Sequence, residues 1–251
     1  MVNTHVGKRF IEIDLARGIA VVMMVVYHLL FDLWFFSLYP VPVTSGFWKY
    51  FAVATASLFL LLVGISVTIS GAHAEKTLST RDFYLKFFKR GLMILAIAAG
   101  ITVVTWWYLG GDGFIVFGIL HLIGFSIILS PVLFHRGKKT LLAGAFVIAV
   151  GIMIMQVRGP AFLIPLGIFP ESFYSVDYTP VFPWFGVVLV GIFLGETLYP
   201  GGLRGFSLPQ FPNLQRIAMY PGKAISFLGR HSLIIYIIHQ PVIILLLHPP
   251  F

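Results

Sequence analysis

The 251-residue sequence is 59% hydrophobic and only 10% charged, with a mean hydropathy of +0.96 and a net charge of +8. So few charges cannot wet the surface of a soluble domain, and an integral membrane protein is expected. The absence of cysteine excludes disulfides, thiolate metal sites and a cysteine nucleophile.

A membrane-crossing helix needs about 20 apolar residues. Segments that qualify run over residues 17–39, 47–72, 91–109, 114–134, 140–157, 181–199 and 225–247. The expected fold is all-α: a polytopic membrane bundle of about seven transmembrane helices forming one domain over residues 1–251. The first segment is too long for the apolar region of a secretory signal, carries His28 and Asp32, and lacks a small-residue cleavage site, so it reads as a retained helix. Pro40 and Pro42 stop it, and Gly110, Gly111 and Gly113 separate the third segment from the fourth. Residues 75–90, EKTLSTRDFYLKFFKR, read as an amphipathic cytoplasmic helix leading into the third span. Residues 158–180 form a longer outer loop, and residues 200–224 a cytoplasmic loop rich in glycine and proline.

The basic residues orient this arrangement. With the N-terminus in the cytoplasm, the inner segments hold Lys8, Arg9 and Arg17; Lys76, Arg81, Lys86, Lys89 and Arg90; Arg136, Lys138 and Lys139; and Arg204, Arg216, Lys223 and Arg230. Only Lys49 and Arg158 fall outside. Positively charged loops stay in the cytoplasm, so an inner N-terminus and an odd number of crossings follow. The basic balance therefore reads as membrane topology, and no nucleic-acid partner is expected. Localisation in a cell membrane, as a multi-pass protein in a lipid bilayer, is the expectation.

Polar side chains inside the apolar segments point to function, because ionisable groups in hydrocarbon face a protein interior or a wet cavity. Asp14, Arg17, Met24, His28 and Asp32 share one face of the first helix. His28 lies roughly 16 Å from the cytoplasmic end of its span, His239 roughly 21 Å from the same side, and His121 roughly 10 Å from the outer face. Three histidines on three segments at similar depth suggest one polar pocket. His28 with Asp32 is the pairing a general base uses, the carboxylate orienting the ring and stabilising its protonated form. Each histidine also has a structural reading, as a ring that braces the bundle through a backbone carbonyl or a tyrosine hydroxyl. Asp14 and Arg17 are expected to pair at the inner surface. Tyr236 and Gln240 are hydrogen-bond partners for the pocket, and Pro241 is expected to kink the helix beside His239.

Five blocks also resemble, in order, those of the heparan-α-glucosaminide N-acetyltransferase catalytic-domain family. They are RFIEIDLARGIAVVMMVVYHLLFDL (9–33), FLLLVGISVTIS (59–70), FGILHLIG (117–124), DYTPVFPWFGVVLVGIFLG (177–195) and LGRHSLIIYIIHQPV (228–242). The spacing of Arg17 and His28 is also similar to the first-helix motif of membrane O-acyltransferases of the O-antigen acetylase type. The resemblance implies acyl transfer across the membrane, with acetyl-CoA as co-substrate from the cytoplasm and an extracytoplasmic sugar or glycan supplying an amine or hydroxyl. It departs at one point: the lysosomal enzyme has asparagine at the position of His28 and its essential histidine eleven residues later, where this chain has Tyr39. The chain is also much shorter and has no large luminal domain for heparan sulfate, so another acceptor is expected.

On this reading His28, Asp32, His121 and His239 form the catalytic set. Arg17, Lys89, Arg90, Lys138 and Arg216 offer cations to the CoA phosphates. Tyr39, Asp177, Trp184, Tyr236 and Gln240 contact the acceptor. No metal is required, and a homodimer is compatible. Two alternatives use the same buried groups. One is a membrane-embedded zinc hydrolase with His28, Asp32, His121 and His239 as ligands; the other is a transporter or proton pathway.

Overall fold

The computed structural model describes residues 10–111, 113–207 and 219–247. Its helices are α1 (Ile11–Phe35), α2 (Gly46–Ala74), α3 (Thr80–Leu109), α4 (Ile119–Leu129), α5 (Lys138–Ile154), α6 (Val181–Leu198), α7 (Met219–Arg230) and α8 (Ser232–Leu247). Among the described residues extended pairing is confined to two isolated bridges, Gly113 with Ser175 and Arg158 with Phe169. The fold is all-α. Each expected segment is helical, but among the described residues α1, α2, α3 and α6 alone are apolar helices long enough to cross a membrane. A fifth crossing arises if the pair 222–230 and 232–247, bent by 89°, counts as one span. The 17 residues of α5 reach only about 26 Å.

The chain divides into two compact units within α2: residues 1–59 with 208–251, and residues 60–207. In the first, α7 lies directly against α1. A Cβ on Gly18 would strike the Ile225 carbonyl, and one on Gly229 the Asp14 carbonyl, so backbone meets backbone there. The sharp bend falls at His231, between α7 and α8, and not at Pro241, which α8 runs through. Helix α1 ends at Phe35, before the prolines. Ser37 takes the left-handed conformation (φ 58°), and the amides of Ser37 and Leu38 donate to the carbonyls of Trp34 and Leu33, which closes the helix as a glycine at C′ usually would.

In the second unit α6 is the glycine-lined centre. Gly191 meets the Leu61 backbone, Gly195 meets Ile65 and Thr68, and Gly186 faces Gly144 of α5. Small residues let helices approach this closely, and dispersion and carbonyl contacts then replace hydrophobic pressure. Helix α3 begins where Ser79 accepts from the Asp82 amide and donates to the Asp82 carboxylate. It continues unbroken to Leu109, so the amphipathic stretch and the third span are one helix. Phe83 and Phe87 of α3 pack on Phe134.

The loops of this unit sort into two groups. At one end Glu75 meets His135, Lys76 donates to the Gly201 carbonyl, and the Gly137 amide donates to Glu196. At the other, Ile115 binds Thr105, Val176 binds Gly113, and Thr179 binds Phe117.

Candidate active site

The first unit brings His28 and Asp32 of α1 against His239 and Gln240 of α8. The His28 and His239 rings lie 4.8 Å apart, centroid to centroid, at 67°. Asp32 and His239 are buried, at 3% and 7% exposure. The Nδ1 atom of His28 is 2.9 Å from the Met24 carbonyl, and that of His239 is 2.6 Å from the Tyr236 carbonyl. A carbonyl only accepts, so both Nδ1 atoms carry the hydrogen and both Nε2 atoms keep a lone pair. The Nε2 of His239 has no hydrogen-bond partner, and none reaches that of His28 among the described residues.

Asp32 does not orient His28. The Met24 carbonyl does that, and Asp32 Oδ1 instead accepts from Gln240 Nε2 at 3.2 Å. The i,i+4 spacing put carboxylate and ring on one face, but each found a closer partner. Among the described residues, Asp32 Oδ2 and Gln240 Oε1 are buried without partners. The corner thus presents bare acceptor atoms, which calls for a ligand that brings hydrogens. Tyr236 adds its ring beside His239, 5.6 Å away.

Nearer the N-terminal end of α1, Asp14 is 4% exposed and holds two arginines. Arg17 approaches Oδ1 at 3.5 Å, as the sequence predicted, and Arg230 donates to Oδ2 at 3.1 Å. In the sequence Arg230 reads only as a loop charge. Its position directly after Gly229, on the helix that touches α1, could have flagged it.

His121 belongs to the second unit and is engaged there on both nitrogens. The Gly118 amide donates to Nδ1 at 3.2 Å, so the hydrogen sits on Nε2, which faces Thr102 Oγ1 at 3.4 Å. The ring also stacks on Phe117. This is a helix cap: His121 and Asp177 share the start of α4, with Asp177 accepting from the Ile119 amide at 3.1 Å and from Thr179 at 3.0 Å. His121 has no bare lone pair, in contrast to His28 and His239.

Of the expected phosphate-binding cations, Lys89 and Arg90 are exposed on α3, and Lys138 is exposed at the start of α5, directly after the loop that Glu75 and Glu196 fix. Arg216 lies outside the described residues. Tyr39 is 63% exposed after the end of α1, and Trp184 is half-buried in the first turn of α6. Among the described residues no three His, Asp or Glu side chains group as metal ligands, so the zinc hydrolase gains no geometric support.

The family model for the heparan-alpha-glucosaminide N-acetyltransferase catalytic domain matches residues 9–241, nearly the whole chain. The chain belongs to this family. Membership in the heparan-α-glucosaminide N-acetyltransferase family implies a membrane acetyltransferase, consistent with the long apolar helices of α1, α2, α3 and α6. The match takes in both α1 and the His239–Gln240 corner of α8. No curated protein and no solved structure matches the chain.

Proposed function

We propose that the protein transfers an acetyl group from cytoplasmic acetyl-CoA to an amine or hydroxyl of an extracytoplasmic, sugar-like acceptor. We further propose that it crosses a cell membrane seven times from a cytoplasmic N-terminus. The observation that carries the chemistry is the Nε2 of half-buried His28, left with a lone pair and no hydrogen-bond partner among the described residues, beside the unpartnered acceptors of Asp32, His239 and Gln240. Acetyl transfer from a thioester needs a base that removes the acceptor proton as the new bond to carbon forms and the carbon–sulfur bond breaks. His28 takes that proton, and the departing thiolate takes it back. Asp32, held by Gln240, supplies negative charge beside the imidazolium. Tyr236, Gln240, Trp184 and Tyr39 contact the acceptor, while His121 and Asp177 shape the outer loop from which the acceptor approaches. Arg17, Lys89, Arg90, Lys138 and Arg216 hold the CoA phosphates.

Incubation of the purified protein with labelled acetyl-CoA and extracted envelope sugars, read by mass spectrometry, tests this. Label must appear on a sugar, the protection that CoA gives against heat must weaken as salt rises, and Arg90→Ala or Lys138→Ala must reduce that protection, with the difference from wild type shrinking at high salt. Flux of a solute into proteoliposomes without acetyl-CoA, and no labelled sugar, would favour the transporter.

A further inference from the structure

We infer that His28 and His239 are the two halves of one base, with the proton taken from the acceptor shared between their Nε2 atoms. The inference rests on the acetyl-transfer reading and adds His239 to its proton-handling machinery.

Backbone geometry sets the arrangement. The Met24 and Tyr236 carbonyls fix the hydrogen on Nδ1 of each ring, leaving two lone pairs on neighbouring imidazoles 4.8 Å apart. Two such acceptors cannot bond each other, and a buried acceptor without a donor is costly. One proton changes this: either ring becomes an imidazolium, and its Nε2–H can donate to the other. The groups facing the pair are Asp32 and Tyr27 on α1 and Gln240 and Tyr236 on α8. Among them Asp32 is the one carboxylate, and its Oδ2 is unpartnered. A shared positive charge is what this corner lacks. A conventional histidine–carboxylate dyad would need Asp32 on the ring, and Asp32 is instead held by Gln240.

The step balances. The acceptor X–H bond breaks as its proton moves to one Nε2, and the other Nε2 accepts a hydrogen bond from it. The X–C bond forms, the C–S bond breaks, and the sulfur leaves with the electron pair. The thiolate then removes the shared proton, returning both rings to their resting tautomers.

Two measurements test the pair. In a cycle of His28→Gln, His239→Gln and the double variant, groups acting as one unit lose activity together. Each single variant should fall by about 100-fold or more, and the double should fall no further than the worse single. Losses that multiply overturn the shared base. The second uses ¹⁵N-histidine NMR of wild-type protein in nanodiscs without substrate, the eight histidines being assigned by single substitution. On acidification the Nε2 signals of His28 and His239 should move together as one proton serves both rings. If one ring protonates while the other stays unmoved, the inference fails. This readout needs no turnover, so a wild-type protein that makes no acetylated product would defeat the proposed function without deciding the pair.

Discussion

Replacing His28 with asparagine separates catalysis from bracing, because both readings bury the same ring. The ring's structural contribution can be sized from its contacts. Its hydrogen bond to the Met24 carbonyl is worth about 0.5–1.5 kcal/mol. Its edge contacts with Tyr27 and His239 add about 0.5–1.5 kcal/mol each. Asparagine retains an amide able to reach that carbonyl, so the net loss of stability is expected to be about 1–2 kcal/mol, a few degrees in melting temperature. The catalytic loss is larger. Positioned proton transfer contributes about 10²–10⁴-fold, roughly 2.7–5.5 kcal/mol of barrier. The assay is initial-rate kinetics with labelled acetyl-CoA on detergent-purified protein whose melting curve is recorded in parallel. The turnover number should drop at least about 100-fold while KM for acetyl-CoA changes by less than about threefold. Turnover within about tenfold of wild type, beside a lowered melting temperature, would mean that the ring braces α1 and that the base lies elsewhere.

The cysteine-free sequence makes topology directly testable: Gly111→Cys should react with a membrane-impermeant thiol reagent in intact cells and Thr77→Cys only after lysis, the reverse pattern inverting the assigned orientation. Gly191→Leu drives a side chain into the Leu61 backbone and should cost at least about 1–3 kcal/mol. Gly100→Ala, with no atom within 4 Å of the added carbon, should leave the melting temperature unchanged or raised; equal effects from the two would contradict the close packing of α6. Burial pushes the Tyr178 phenol up to about 12, and its hydroxyl donates to the Ile164 carbonyl at 2.8 Å. Because the folded value exceeds the unfolded one, its contribution is intact below about pH 10 and is lost as pH rises through about 12. Wild-type protein should therefore lose melting temperature across that window faster than Tyr178→Phe, and parallel curves would refute the assignment.

The helices were legible because hydropathy sums over many residues, and single errors cancel within a 20-residue window. Their ends were not. The turn after α1 depends on Ser37 adopting a positive φ, which serine seldom does and which no local pattern announces. The bend at His231 has no local sequence signal as strong as Pro241, ten residues on. Depth along the helices was enough to suggest that His28 and His239 could meet. Partner choice was harder: Asp32 had His28 four residues away, yet bonds Gln240, 208 residues distant. Asp14 likewise gained Arg230 beyond the neighbour that spacing offered. For His121, a glycine three residues upstream was a visible hint that the ring caps a helix start.

The carbonyls of Met24 and Tyr236 carry a lesson for how such a site can diversify. They belong to the main chain, so replacing the side chains at those positions leaves the hydrogen on Nδ1 of both rings. The walls of the corner are free to drift toward a different acceptor while the protonation pattern is inherited from the helices themselves. Only a change that unwinds α1 near Met24, or α8 near Tyr236, would erase it.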